Sequence, residues 1–124
     1  MRWIVDGMNV IGTRPDGWWR DRHGAMAALV AKLELWAETG EDDVTVVFER
    51  PPNPPINSSV VTVAHAPRAA ANSADDQIVR LVQADSRPEE ITVATSDTTL
   101  SDRIREVGAS VYPAESFRQL IDPR

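Results

Sequence analysis

Short apolar runs alternate with longer amphipathic stretches along this chain, and that alternation restricts the fold more than any other feature of the sequence. A run that is apolar at nearly every position, rather than at every second one, belongs to a strand covered on both faces. Such strands are mostly parallel and are joined by helices that cross over the sheet. The first run, Arg2 to Asp6, stays apolar until it meets Asp6-Gly7. A loop holding Gly12, Pro15 and Gly17 is expected next. A helix then runs from about Arg20 to Ala37, with Met26, Leu29, Val30, Leu33 and Trp36 at helical spacing. Val44 to Phe48, Val60 to Ala64, Ile91 to Thr95 and Ser110 to Tyr112 supply further strands. The pattern places other helices from Ser73 to about Asp85, from Thr99 to Val107 before the stop at Gly108, and from Pro113 onward. Pro51, Pro52, Pro54 and Pro55 forbid regular structure and make a stiff exposed loop after the second strand. The expected class is α/β with a mostly parallel sheet.

At 124 residues and 42% hydrophobic, residues 1–124 fit one domain able to bury a core unaided. The absence of cysteine excludes disulfides, thiolate metal sites and cysteine nucleophiles, and a cytoplasmic location is the default expectation. The N-terminal apolar run is too short for a signal peptide or a membrane span, so no membrane partner is expected. A net charge of -6 argues against a protein that coats nucleic acid through a strong positive field. Carboxylates gathered around cations, however, do not count against a polyanionic substrate. Twelve of the thirteen basic residues are arginines, which suits bidentate contact with phosphate and also follows from GC-rich coding.

Ligands of open parallel sheets bind beyond the carboxyl ends of the strands, where strand order reverses. Asp6 closes the first strand and Asp97 follows the fourth, so the two face each other if those strands are neighbours. A third carboxylate comes from the helix beginning at Ser73, with Ser73 as its expected cap. Asp75 lies three, four and seven residues before Ile78, Val79 and Val82, on the apolar face that turns to the sheet. A charge there is costly unless paired or metal-bound, which makes Asp75 the ligand candidate. Asp76 falls to the side and reads equally as a helix-terminus charge. Asp102 is a further candidate, although with Thr99 as cap it completes a capping box and needs no metal. An all-aspartate set suits Mg²⁺ or Mn²⁺ better than zinc, and such ions activate water for attack on phosphorus. His23 and His65 read as surface or packing residues away from the crevice.

These residues carry a resemblance. Ile4-Val5-Asp6-Gly7-Met8-Asn9-Val10-Ile11-Gly12 resembles the opening strand and turn of the YacP-like NYN domains, part of the wider PIN-like nuclease group. Ser73-Ala74-Asp75-Asp76-Gln77-Ile78 is similar to that family's Ala-Asp-x-x-Ile helix start, and Ala94-Thr95-Ser96-Asp97 to its strand-four ending. The resemblance implies a three-layer α/β/α PIN-like fold with a five-stranded sheet and a divalent-metal endoribonuclease activity. Asp6, Asp75 and Asp97 match the acidic metal-site positions. Asn9 matches the turn asparagine, which would orient a ligand or bind substrate; otherwise it is a turn residue tolerating an unusual backbone. Asp76 and Asp102 match less closely, since Thr98, Thr99, Leu100 and Ser101 fill the interval where related proteins carry a further acid.

Arg14, Trp18, Arg20 and Arg22 follow the first strand and, with Ser96, form the expected contacts to single-stranded RNA, arginines to phosphates and aromatics to bases. At least one of Trp18 and Trp19 is expected to seat the first helix on the sheet instead. The proline loop with Arg50 is a second contact candidate, for RNA or for a protein or ribosomal surface. A non-catalytic RNA-binding or ribosome-associated adaptor is the rival reading, but it has no use for a complete carboxylate set. A small-molecule phosphohydrolase would show an Asp-x-Asp or glycine-rich phosphate loop, and neither is present.

Overall fold

The computed structural model describes residues 1–40, 42–68, 70 and 72–122. Its strands are β1 (Arg2–Asp6), β2 (Asp43–Phe48), β3 (Thr62–His65), β4 (Ile91–Ala94) and β5 (Ser110–Tyr112). The helices are α1 (Gly7–Ile11), α2 (Arg22–Glu38), α3 (Ser73–Ala84), α4 (Thr98–Val107) and α5 (Ala114–Ile121). One sheet holds the strands in the order β3-β2-β1-β4-β5, and every neighbouring pair is parallel.

Side chains alternate across the sheet, which explains why the strands read as apolar throughout. Trp3, Val5, Val44, Val46 and Phe48 turn to one face, where Val10, Leu29, Val30, Leu33 and Phe117 of α1, α2 and α5 cover them. Ile4, Val47, Ile91 and Val93 turn to the other face, onto Ile78, Val79, Val82, Leu100 and Ile104 of α3 and α4. Three layers result. Trp3 anchors the first core, its ring centroid 5.6, 5.5 and 5.1 Å from those of Trp36, Tyr112 and Phe117. Among the described residues, no helix is long and apolar enough to cross a membrane.

Four local expectations change. The stretch after Asp6 is a short helix rather than a loop, because Val10 and Ile11 must turn inward and are 0% and 3% exposed. Ser73 does not cap α3; Asn72 takes the N-cap position in a left-handed conformation, φ 62°, without a side-chain capping bond. The Ser73 hydroxyl instead lies 3.5 Å from the carbonyl of Glu49, tying α3 to the end of β2. α4 starts one residue early, since Asp97 rather than Thr99 takes the cap and accepts from the Leu100 amide at 2.8 Å. β3 begins at Thr62 instead of Val60, because the Ser58 hydroxyl accepts from the amides of Val60 and Val61 and holds that stretch in a bend.

Candidate active site at the reversal of strand order

From β1 the chain builds β2 and β3 on one side and then crosses to build β4 and β5 on the other. The reversal leaves a crevice beyond the carboxyl ends of β1 and β4, the usual ligand position of such sheets. Val5 pairs with Ala94, so Asp6 stands beside Thr95. The Thr95 hydroxyl donates to Asp6 Oδ2 at 2.9 Å and accepts from the Asp97 amide at 3.2 Å. Asn9, in the first turn of α1, accepts from the Ser96 amide at 2.8 Å through Oδ1. Ser96 Oγ in turn accepts from the Ala114 amide at the start of α5, also at 2.8 Å. The loop carrying Asp97 is thus braced from β1, α1 and α5. Asp97 gives Oδ1 to its own helix, and its Oδ2 has no partner among the described residues.

Asp6 is 5% exposed, the one fully buried ionisable side chain among the described residues. Burial pushes its carboxyl up to about 7; the hydrogen bond from Thr95 opposes the rise, and the charges of Asp75 and Asp97 add to it. Asp75, half-buried on α3, is also raised, first by burial and then by Asp97, with Arg103 opposing and Asp76 and Glu49 adding. Aspartates from three separate stretches therefore act on one another, and no arginine or lysine is among the groups acting on Asp6. A divalent cation would supply the missing positive charge. Among the described residues, no three histidine, cysteine or acidic side chains lie close enough to enclose an ion by themselves. The oxygen-only donor set nonetheless fits a hard cation such as Mg²⁺, which takes one or two carboxylates and keeps several waters.

The remaining candidates scatter. Asp76 is exposed and pairs with Arg103 at 2.9 Å. Asp102 is also exposed, 3.8 Å from Arg105 on the same helix; capping by Asp97 removes it from the capping-box position. Arg14 lies 2.6 Å from Asp122, which also takes Lys32 at 2.8 Å, so its charge clasps the end of α5. Trp18 packs on the core with the Arg22 guanidinium 5.2 Å from its ring centroid, while Trp19 and Arg20 are exposed. His23 is bonded to the Pro54 carbonyl at 2.8 Å, and His65 to the Ala66 carbonyl at the same distance.

Three residues near the aspartates had no assigned role in the sequence reading: Thr95, Glu49 and Arg103. Glu49 was findable, because it follows β2 just as Asp6 closes β1. Arg103 carries no local signal, since its proximity to Asp75 and Asp76 depends on how α4 packs beside α3. Thr95→Val tests the bridge between the strands. Valine keeps the shape but leaves a buried carboxylate oxygen and the Asp97 amide unpaired, so a loss of about 1–3 kcal/mol is expected in urea unfolding. An unchanged midpoint would show that the hydroxyl holds nothing.

A three-layer domain with a parallel five-stranded sheet and coupled aspartates at its strand-order reversal has the PIN-like fold of a nuclease superfamily. More narrowly, the chain belongs to the YacP-like NYN domain family, whose model matches residues 3–123. Among solved structures it is similar to Rae1 (YacP) from Bacillus subtilis, with 26% identity and a TM-score of 0.81 over 98% of this chain and 73% of that one. The W164L mutant of the same protein matches with 28% identity and a TM-score of 0.77, covering 98% and 74%. No curated protein matches the sequence. NYN and other PIN-like nucleases generally use divalent metals, and RNA is the substrate class the family suggests.

Proposed function

We infer that this domain is a divalent-cation-dependent endoribonuclease acting on single-stranded RNA. The observation that carries this reading is Asp6, buried at the strand-order reversal and pushed up to about 7 by burial, with the charges of Asp75 and Asp97 adding to the rise. A fold does not bury such a charge for stability, and perturbed carboxylates in a crevice mark functional sites. Asp6, Asp75 and Asp97 would hold Mg²⁺ or Mn²⁺. The chemistry such an ion would supply is an ionised water and stabilisation of charge on the phosphate. The chain's own part is positional. Thr95 fixes Asp6 and the Asp97 backbone to each other, and Asn9 accepts from the Ser96 amide of the same loop. Asp6, charged when a cation is present, is shielded from bulk water, which strengthens its pull on any positive partner.

The test is cleavage of single-stranded RNA with Mn²⁺ or Mg²⁺ by the wild type and by Asp97→Asn. Asparagine caps a helix as well as aspartate, so the substitution spares α4 while removing a charge from the crevice. Activity is expected to fall at least about 100-fold and to vanish for the wild type in EDTA. Equal cleavage by Asp97→Asn would remove Asp97 from the mechanism. Cleavage that persists in EDTA would remove the cation. An adaptor without activity would bind RNA and cut none.

A further inference from the structure

Next to the carboxylates lies a groove of about 480 Å³, within the size range of small-ligand sites. Its base is apolar, made by Met8 of α1, Met26 of α2 and Phe48 at the end of β2. Arg22 and Arg50, both exposed, stand along it, one from the start of α2 and the other from the proline loop. Arg22 is held over the Trp18 ring, 5.2 Å from its centroid, and is therefore partly oriented in advance. The loop wall is anchored too, because the His23 ring sits 2.8 Å from the Pro54 carbonyl. Glu49 links the groove to the crevice, since it lines the one and its charge acts on Asp75 in the other, and Met8 follows Asp6 by two residues.

We propose that this groove receives the nucleotide flanking the cleaved phosphodiester of single-stranded RNA, with its base over Met8 and Met26 and its outer phosphate between Arg22 and Arg50. The assignment rests on the nuclease reading of the aspartates. Methionine sulfur and ring edges accept a flat aromatic surface without demanding one shape. Guanidinium groups fork onto phosphate oxygens and stack on bases, and unstacked bases are what single-stranded sites recognise. The two cations also answer a difficulty raised by the net charge of -6. A strand approaching an acidic crevice needs positive charge close by, and Arg22 and Arg50 supply it along the groove that Glu49 shares with Asp75.

The measurement is binding of fluorescently labelled single-stranded RNA in EDTA, where no cutting occurs, followed by KM and kcat with Mn²⁺. Arg22→Ala/Arg50→Ala is expected to weaken binding about tenfold and to raise KM while leaving kcat nearly unchanged. Arg87→Ala, at the opposite end of the sheet, serves as the control and should shift binding less than about twofold. RNA carrying 4-thiouridine should photo-crosslink to peptides containing Met8, Met26 or Pro51–Asn53. A double variant that binds like Arg87→Ala, crosslinks confined to other peptides, or a wild type that binds no RNA would each overturn the proposal. Binding that depends on the arginine pair without Asp97-dependent cleavage keeps the groove as an RNA site and removes the nuclease reading. Cleavage whose KM ignores the pair does the reverse.

Discussion

Asp6→Asn is expected to cut cation-dependent RNA cleavage by about 10²–10³-fold, the usual cost of losing one preorganised electrostatic partner, and at the same time to make the cation-free protein more stable at pH 8. The two effects have one cause. The carboxyl of Asp6 is raised from 3.8 to about 7 on folding. Between those values the folded protein keeps a proton that the unfolded chain releases, so stability falls as pH rises through the window. The contribution is complete below about pH 4 and gone above about pH 7. At about 1.4 kcal/mol for each tenfold change in proton affinity, it amounts to about 4 kcal/mol. Asparagine never ionises, and its carbonyl oxygen still accepts from Thr95. In EDTA, the wild-type melting temperature should therefore drop between pH 5 and pH 8, while that of Asp6→Asn stays nearly level, with Asp75 leaving a smaller slope of the same sign. Mn²⁺ should restore the wild type at pH 8 and do little for the variant. Parallel melting profiles for the two proteins would show that Asp6 is not held against its ionisation.

Gly7→Ala should destabilise the domain by about 1–3 kcal/mol, although alanine is the better helix former. A Cβ at position 7 would stand 2.5 Å from Cε1 of Phe48 and 3.1 Å from the Val47 carbonyl. Phe48 is 1% exposed and has nowhere to turn. The gain of up to about 1 kcal/mol from helix propensity is the smaller effect, so the clash decides the sign. Gly7 directly follows Asp6, so a backbone shift at position 7 that relieves the clash would reach the residue carrying the carboxylate. Phe48→Leu opens space at the ring, and the combination with Gly7→Ala should recover part of the loss in a double-mutant cycle. Additive losses would place the strain elsewhere.

The strands and the longer helices were legible because each is apolar with one clear period, and a parallel sheet then sets where their ends lie. Strand ends alone put Asp6 and Asp97 at one crevice, and the charge of Asp97 does act on Asp6. Helical spacing also separated inward Asp75 from outward Asp76, since one helical step is about 100°. Other features lay below its resolution. α1 spans five residues, too few to show a period, and Asp-Gly-x-Asn reads more readily as a turn. Ser96, Asp97, Thr98 and Thr99 are consecutive capping residues, so composition alone does not choose among them. Arg14 looked like a phosphate contact because it follows the first strand, yet its partner Asp122 is 108 positions away and is brought near only by the docking of α5. The groove beside the carboxylates draws on α1, α2 and the proline loop at once, and no single window of sequence contains it.

Asp97 divides its oxygens: one starts a helix, and the other has no partner among the described residues. Selection for a well-formed α4 alone would preserve a capping residue, aspartate or asparagine, at that position whether or not the domain cuts RNA. Asp6 is bonded by Thr95 and by the Asn9 amide, yet its burial still weakens the fold at neutral pH. In comparing chains of this architecture, the aspartate that harms its host is the more telling sign of a working enzyme.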